Sequence, residues 1–229
     1  MSQSDDAIMW VKKNKKLIVE QFADPKKFQK EEHPLTIFMA GSPGAGKTET
    51  AKALNKRLPF PLVHIDADAI RAMIPGFNGA NASIFQAAVT IGVEKLYDSV
   101  LSKGLSAIVD TTFTPFAKAH SNVSRSIKKN RSVLIIYVYQ DPVQAWKFAK
   151  AREQVEGRVI PRSSFIKQFL EARPSVDRMK KEWGKNVQAY VVRKDILTQK
   201  SEEYVESVEK IEDVVNFSYT IDDLEHLIP

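Results

Sequence analysis

The decisive stretch is Leu35-Thr36-Ile37-Phe38-Met39-Ala40-Gly41-Ser42-Pro43-Gly44-Ala45-Gly46-Lys47-Thr48. Its first six residues form a short apolar run and read as a buried strand. Gly41 to Thr48 fit the pattern G-x-x-x-x-G-K-[ST], and from Gly46 to Leu58 the spacing of Ala51, Leu54 and Leu58 is helical. Strand, glycine-rich turn and helix together supply the chemistry of phosphate binding. The glycines let backbone N–H groups turn inward around a phosphate without Cβ clashes. The helix start adds unpaired N–H donors and the positive end of its dipole. Lys47 can then reach the β and γ phosphates, and the Thr48 hydroxyl can ligate Mg²⁺. The stretch predicts a nucleoside-triphosphate site made of Gly41, Ser42, Pro43, Gly44, Ala45, Gly46, Lys47 and Thr48, with Thr50 just beyond.

Further apolar runs at 62–65, 105–109 and 133–139 predict more strands, the last being β-branched and aromatic throughout. Between them the spacing predicts helices over 67–74, 82–102 (closed by Gly104) and 115–129, and another opened by Asp141-Pro142. Residues 7–23 read as one amphipathic helix that stops at Asp24-Pro25, and 214–219 read as a last strand. Strands alternating with helices indicate βαβ units, hence an α/β fold with a mainly parallel central sheet flanked by helices. The helical material after about residue 141 reads as a cap or lid. The expected organisation is one domain over 1–229. It has an N-terminal helical extension (1–34), a helical lid and basic segment (about 141–200) and an acidic C-terminal segment (201–229).

Composition removes whole classes of function. The 229 residues are 43% hydrophobic and 27% charged, a globular balance that argues against wholesale disorder. Zero cysteines exclude a disulfide framework, thiolate zinc and a cysteine nucleophile, and four scattered histidines make a histidine-built metal site improbable. The N-terminus has the wrong charge order for a secretory signal, and no run approaches the roughly 20 apolar residues of a membrane span. A cytoplasmic location without membrane contact is the expectation. The net charge of +6 is unevenly spread: residues 118–200 hold nineteen basic and seven acidic side chains, and residues 201–229 hold one and nine. Such a surplus calls for an anionic partner or a solvated helix surface.

Ile65-Asp66-Ala67-Asp68-Ala69-Ile70-Arg71 follows the second strand, so both aspartates emerge at the sheet edge where ligands bind in open α/β folds. Asp66 can hold the metal or its waters while Asp68 takes the proton from an acceptor hydroxyl. The structural alternative is that both serve the start of the following helix. Ile108-Val109-Asp110-Thr111-Thr112 ends the third strand in another carboxylate, able to bind metal or grip a substrate. Arg152, Arg158 and Arg162 lie in the lid, where always-ionised planar donors can stabilise charge on a transferring phosphoryl group.

In this order, over about residues 35–165, the motifs resemble those of the zeta-toxin family of P-loop kinases, bacterial toxins that phosphorylate UDP-N-acetylglucosamine. The resemblance takes in Gly-x-Pro-Gly-x-Gly-Lys-Thr at 41–48, Ile-Asp-x-Asp-x-x-Arg at 65–71 and Pro75-Gly76-Phe77. It also takes in the spacing of Glu94, Asp110 and Thr112. It implies that the whole is a P-loop kinase fold with a helical, arginine-containing lid. It also implies Asp68 as the base, Arg71, Glu94, Asp110 and Thr112 on the substrate, and Arg152 and Arg158 on phosphates. ATP and Mg²⁺ would be the cofactors, a phosphorylated small molecule the acceptor, and an antitoxin protein a possible partner. The chain departs from the family where Asp110-Thr111 replaces a glutamate and a glycine, and where Thr114 replaces an arginine.

The aspartate pair also resembles that of shikimate- and gluconate-type small-molecule kinases. Loop, pair and lid together resemble kinases of polynucleotide 5′-hydroxyls, which the basic segment would suit. The sequence lacks the aromatic–basic interleaving that stacks single strands, so nucleic acid is not favoured. A reading of another class, a non-catalytic ATP-dependent switch, has no need of an acceptor-facing Asp68.

Overall fold

The computed structural model describes residues 2–194, 202–205 and 207–229. The chain opens with α1 (Gln3–Lys13) and α2 (Lys15–Phe22), followed by β1 (Leu35–Ala40), α3 (Lys47–Arg57), β2 (Val63–Asp66) and α4 (Ala67–Ala72). Then come α5 (Gln86–Lys103), β3 (Ala107–Asp110), α6 (Phe116–Lys128), β4 (Ser132–Tyr139), α7 (Pro142–Glu156) and α8 (Arg162–Trp183). The chain ends with β5 (Val187–Lys194), β6 (Glu202–Val205) and α9 (Ile221–Leu227).

The strands lie in the order β2-β3-β1-β4-β5-β6, with β1 to β5 mutually parallel and β6 antiparallel at the edge. Alternation along each strand feeds two cores, as a sheet covered on both faces requires. In β1, Phe38 and Ala40 face the core shared with α1, α2 and α5, whereas Ile37 and Met39 face α3. In β4, Val133, Ile135 and Tyr137 join the first core and Ile136 and Val138 the second. The apolar run at 133–139 is therefore a central strand, bonded to β1 on one side and β5 on the other.

Arg131, just before β4, is 5% exposed. It donates to Thr36 Oγ1 (2.7 Å) and to the carbonyls of Leu35 (3.1 Å) and Leu105. One guanidinium thus ties the starts of β1, β3 and β4 at the edge opposite the phosphate loop.

Three expectations are corrected. The helix read over 7–23 is two helices broken at Asn14, whose side-chain amide donates to the Trp10 carbonyl at 2.8 Å. The segment about 141–200 is not helical to its end, because Val187–Lys194 is β5. Val187, Ala189 and Val191 alternate into the core there, and β5 satisfies the free edge that β4 would otherwise expose. Finally, 214–219 is not a strand. The carbonyls of Val215 and Phe217 accept from the Arg173 guanidinium at 3.0 and 3.1 Å instead of from a ladder. The acidic tail then forms α9, started by a Thr220–Asp223 capping box and anchored by Leu224 among Trp146, Phe165 and Phe169.

Candidate active site

The loop between β1 and α3 wraps around the positions that backbone geometry reserves for glycine. Gly44 has φ +73° and lies so close to α7 that a Cβ would run into the Ala145 carbonyl oxygen. Gly46 caps α3 from the left-handed region at φ +89°. Lys47 is buried, and its ammonium donates to the Ser42 carbonyl at 2.6 Å, which closes the loop on itself. Burial pulls the Lys47 ammonium down to about 8, with the Asp110 carboxylate opposing the shift.

The loop forms the floor of a cleft of about 980 Å³ along the C-terminal ends of the parallel strands. Pro43 to Glu49 line one side, Asp66, Asp68, Asp110, Thr111 and Thr112 the strand ends, and Arg152, Glu156 and Arg158 the cap. Volume and position are those of a ligand site at the carboxyl edge of an α/β sheet.

Thr48 Oγ1 donates to Asp110 Oδ2 at 2.6 Å. Burial pushes the Asp110 carboxyl up, while His64, Lys47 and Thr48 together hold it below the usual carboxylate range. These two hard oxygen donors, one at the start of α3 and one at the end of β3, suit Mg²⁺. Asp66 caps α4 by accepting from the Asp68 N–H at 2.8 Å. Burial raises the Asp66 carboxyl, a shift the Asp68 N–H opposes and the nearby charges of Asp110 and Asp68 reinforce. The helix-start reading of Asp66 and its place beside Asp110 thus coexist.

Asp68 sits among three arginines. Arg158 reaches both carboxylate oxygens at 2.7 Å, Arg71 pairs from beneath, and Arg152 stands 3.8 Å away while bonding Glu156 at 3.1 to 3.2 Å. The phosphate-loop residues, Asp66, Asp68, Asp110, Thr112, Arg152 and Arg158 are thereby brought to one cleft, although Gly41 and Ser42 lie behind its lining.

Other expected contacts lie elsewhere. Glu94, on α5, pairs with Lys118 and Arg125 of α6, outside the cleft lining. Arg71 is 1% exposed and buried beneath Asp68, where it donates to Gln86 Oε1 at 3.0 Å, so it positions Asp68 instead of meeting a ligand. Thr50 is buried and its hydroxyl donates to the Gly46 carbonyl at 2.9 Å, a bond internal to the loop. Arg162 donates to the Glu225 carbonyl, because the start of α8 docks on the C-terminal helix.

Sequence reasoning missed four lining residues, Gln86, Gln140, Gln144 and Gln168, together with Lys194 at the end of β5. Gln86, Gln144 and Gln168 sit on helices and Gln140 in the turn after β4, and lone glutamines carry no pattern, whereas recognising β5 would have placed Lys194 at the ligand edge.

Fold and phosphate loop define the class: this is a phosphotransferase of the P-loop kinase type. The sequence profile described as zeta toxin matches residues 19–203, and the chain belongs to the zeta-toxin family of ATP-dependent kinases. A chain from the PezAT chromosomal toxin–antitoxin system of Streptococcus pneumoniae superposes with a TM-score of 0.63 at 14% identity, covering 100% of this chain and 88% of that one. The AvrRxo1-ORF1:-ORF2 structure with ATP gives 0.58 at 12% identity, over 88% of this chain and 65% of that one. The Pnkp1/Rnl/Hen1 RNA repair complex gives 0.54 at 13% identity, over 83% and 53%. At these identities the likenesses are of fold. No curated protein matches the sequence. Among the described residues no helix is long and apolar enough to cross a membrane.

Proposed function

We propose that the chain transfers the γ-phosphoryl group of ATP to a hydroxyl of a nucleotide-sugar, with UDP-N-acetylglucosamine as the acceptor to test first, and that it acts as a toxin restrained by an antitoxin protein. The observation that carries the transfer is Asp68, a carboxylate in the first turn of α4, just past the end of β2, that lines the cleft between the phosphate loop and the cap arginines. A switch that only bound ATP would have no use for it. Family membership supports the acceptor class and the antitoxin. A cleft of about 980 Å³ supports two ligands side by side.

In this reading Lys47 exchanges the Ser42 carbonyl for the β and γ phosphate oxygens, and the loop amides cradle them. Thr48 and Asp110 would hold Mg²⁺, which would supply charge neutralisation for the phosphoryl transfer. The acceptor hydroxyl gives its proton to an Asp68 carboxylate oxygen as its own oxygen forms the new bond to the γ phosphorus. The bond from that phosphorus to the bridging β oxygen breaks and ADP departs. Arg158 and Arg152 shift from Asp68 and Glu156 to the equatorial oxygens of the transferring group. Asp68 is thereby released to accept the proton.

The test is γ-labelled ATP offered in parallel to nucleotide-sugars, small polyols and 5′-hydroxyl RNA. Label on the nucleotide-sugar is expected. Label on RNA alone would replace the acceptor with a polynucleotide, and label on no acceptor would favour a binding module.

A further inference from the structure

The edge of the sheet beside the phosphate loop holds an imidazole that the transfer chemistry leaves unused. His64 and Asp66 alternate along β2 and so project from the same face of the edge strand. The parallel register sets Asp66 directly opposite Asp110 of β3. One ligand atom from each of His64, Asp66 and Asp110 lies within 4.8 Å of the others. His64 Nε2 is shut off from solvent and makes no hydrogen bond; Asp110 Oδ2, at 3.7 Å, is too distant for one. A buried ring nitrogen without a partner costs free energy unless something else occupies its lone pair.

The charge balance points the same way. No ion pair reaches Asp66 among the described residues; Asp68 and Asp110 press negative charge on it, and the charges of His64 and Arg71 act against them. The Lys47 ammonium, which lies beside Asp110, donates to the Ser42 carbonyl. Two carboxylates in register and an imidazole whose Nε2 has no hydrogen-bond partner converge on one face, a donor set that a cation would complete.

We propose that His64 Nε2 and the carboxylates of Asp66 and Asp110 form a site for a divalent first-row transition metal such as Mn²⁺ or Co²⁺, bound by the free protein before any nucleotide arrives. The imidazole gives the site its selectivity, because nitrogen donors favour transition ions over the oxygen-seeking Mg²⁺ and Ca²⁺. Two carboxylates and one imidazole also leave coordination positions open to water or to a phosphate oxygen. The inference does not rest on the proposed transfer reaction, since the ion is read on the protein alone.

The experiment titrates the full chain, without nucleotide, with Mn²⁺ and follows the loss of the free-ion electron paramagnetic resonance signal. One ion per chain is expected, retained in a tenfold excess of Mg²⁺, with electron-spin-echo modulation from one directly bound imidazole nitrogen. H64Q is expected to weaken binding at least tenfold and remove that modulation while leaving the circular dichroism spectrum and melting temperature unchanged. The nitrogen signature of the unaltered protein carries the test if H64Q fails to fold. Binding only after ATP is added, bound Mn²⁺ without nitrogen modulation, or a folded H64Q that binds as tightly as the natural chain would each overturn the site.

Discussion

Arg158 holds both carboxylate oxygens of Asp68 at 2.7 Å, across ninety residues of chain. The pair joins the cap to the strand edge and makes the proposed base and the proposed phosphate ligand each other's partner in the free protein. A γ-phosphate competes with Asp68 for the same guanidinium, so nucleotide binding and liberation of the base are one exchange.

D68N is therefore expected to lower transfer by about 10²- to 10⁴-fold, the usual contribution of a general base. ATP should bind at least as tightly as before, because Arg158 no longer has a carboxylate to leave. Single-turnover transfer and equilibrium ATP binding, measured on one preparation, check both halves. Unimpaired transfer would remove Asp68 from the chemistry.

R158K tests the other half of the pair. Lysine keeps the charge but loses the planar fork that spans two oxygens. The expected result is a fall in kcat of about 10³-fold with little rescue relative to R158A, the scale seen for arginines on a transferring phosphoryl group. A kcat near that of the unaltered chain would assign Arg158 a purely structural role.

ATP affinity should depend on pH through Lys47. Burial lowers its ammonium to about 8 in the free protein, and bound phosphates favour the charged form. Affinity is thus expected to be flat well below pH 8 and to fall by up to about tenfold per pH unit above it, with a proton taken up on binding. Calorimetry at pH 9 in two buffers of different ionisation enthalpy reads that proton directly.

E94Q should leave both kcat and the acceptor KM unchanged. Glu94 is paired with Lys118 and Arg125 on the helical layer, away from the cleft lining. The expected loss is at most about 1 kcal/mol of stability, as for other partly exposed ion pairs. A rise in KM would bring Glu94 back to the substrate.

R131M should do the reverse. It removes a buried charged donor that serves Thr36 and the carbonyls of Leu35 and Leu105, and is expected to cost about 3 kcal/mol in urea unfolding. The ATP site lies at the other edge of the sheet, so nucleotide affinity of the folded fraction should persist.

By itself the sequence determined the phosphate loop and the parallel α/β arrangement. Both are local: a strand, a glycine turn and a helix start are written in consecutive residues, and apolar runs buried on both faces need no partner to be recognised. It also determined that Asp66, Asp68 and Asp110 end up at one edge, because Asp66 and Asp110 each close a strand and Asp68 follows two residues on, in the first turn of α4. Only the tertiary structure decided which charged side chains are turned to the cleft. Arg71, Glu94 and Arg162 satisfy the same spacing rules as Arg158, yet long-range partners claim all three. The basic surplus of residues 118–200 resolved in the same way. Arg131 braces three strands, Arg173 caps two carbonyls, and Arg178 lies 4.0 Å over the Phe116 ring. Electrostatic partners separated by tens of residues leave no periodic trace in a sequence, so charge could be counted there but assigned only in the fold.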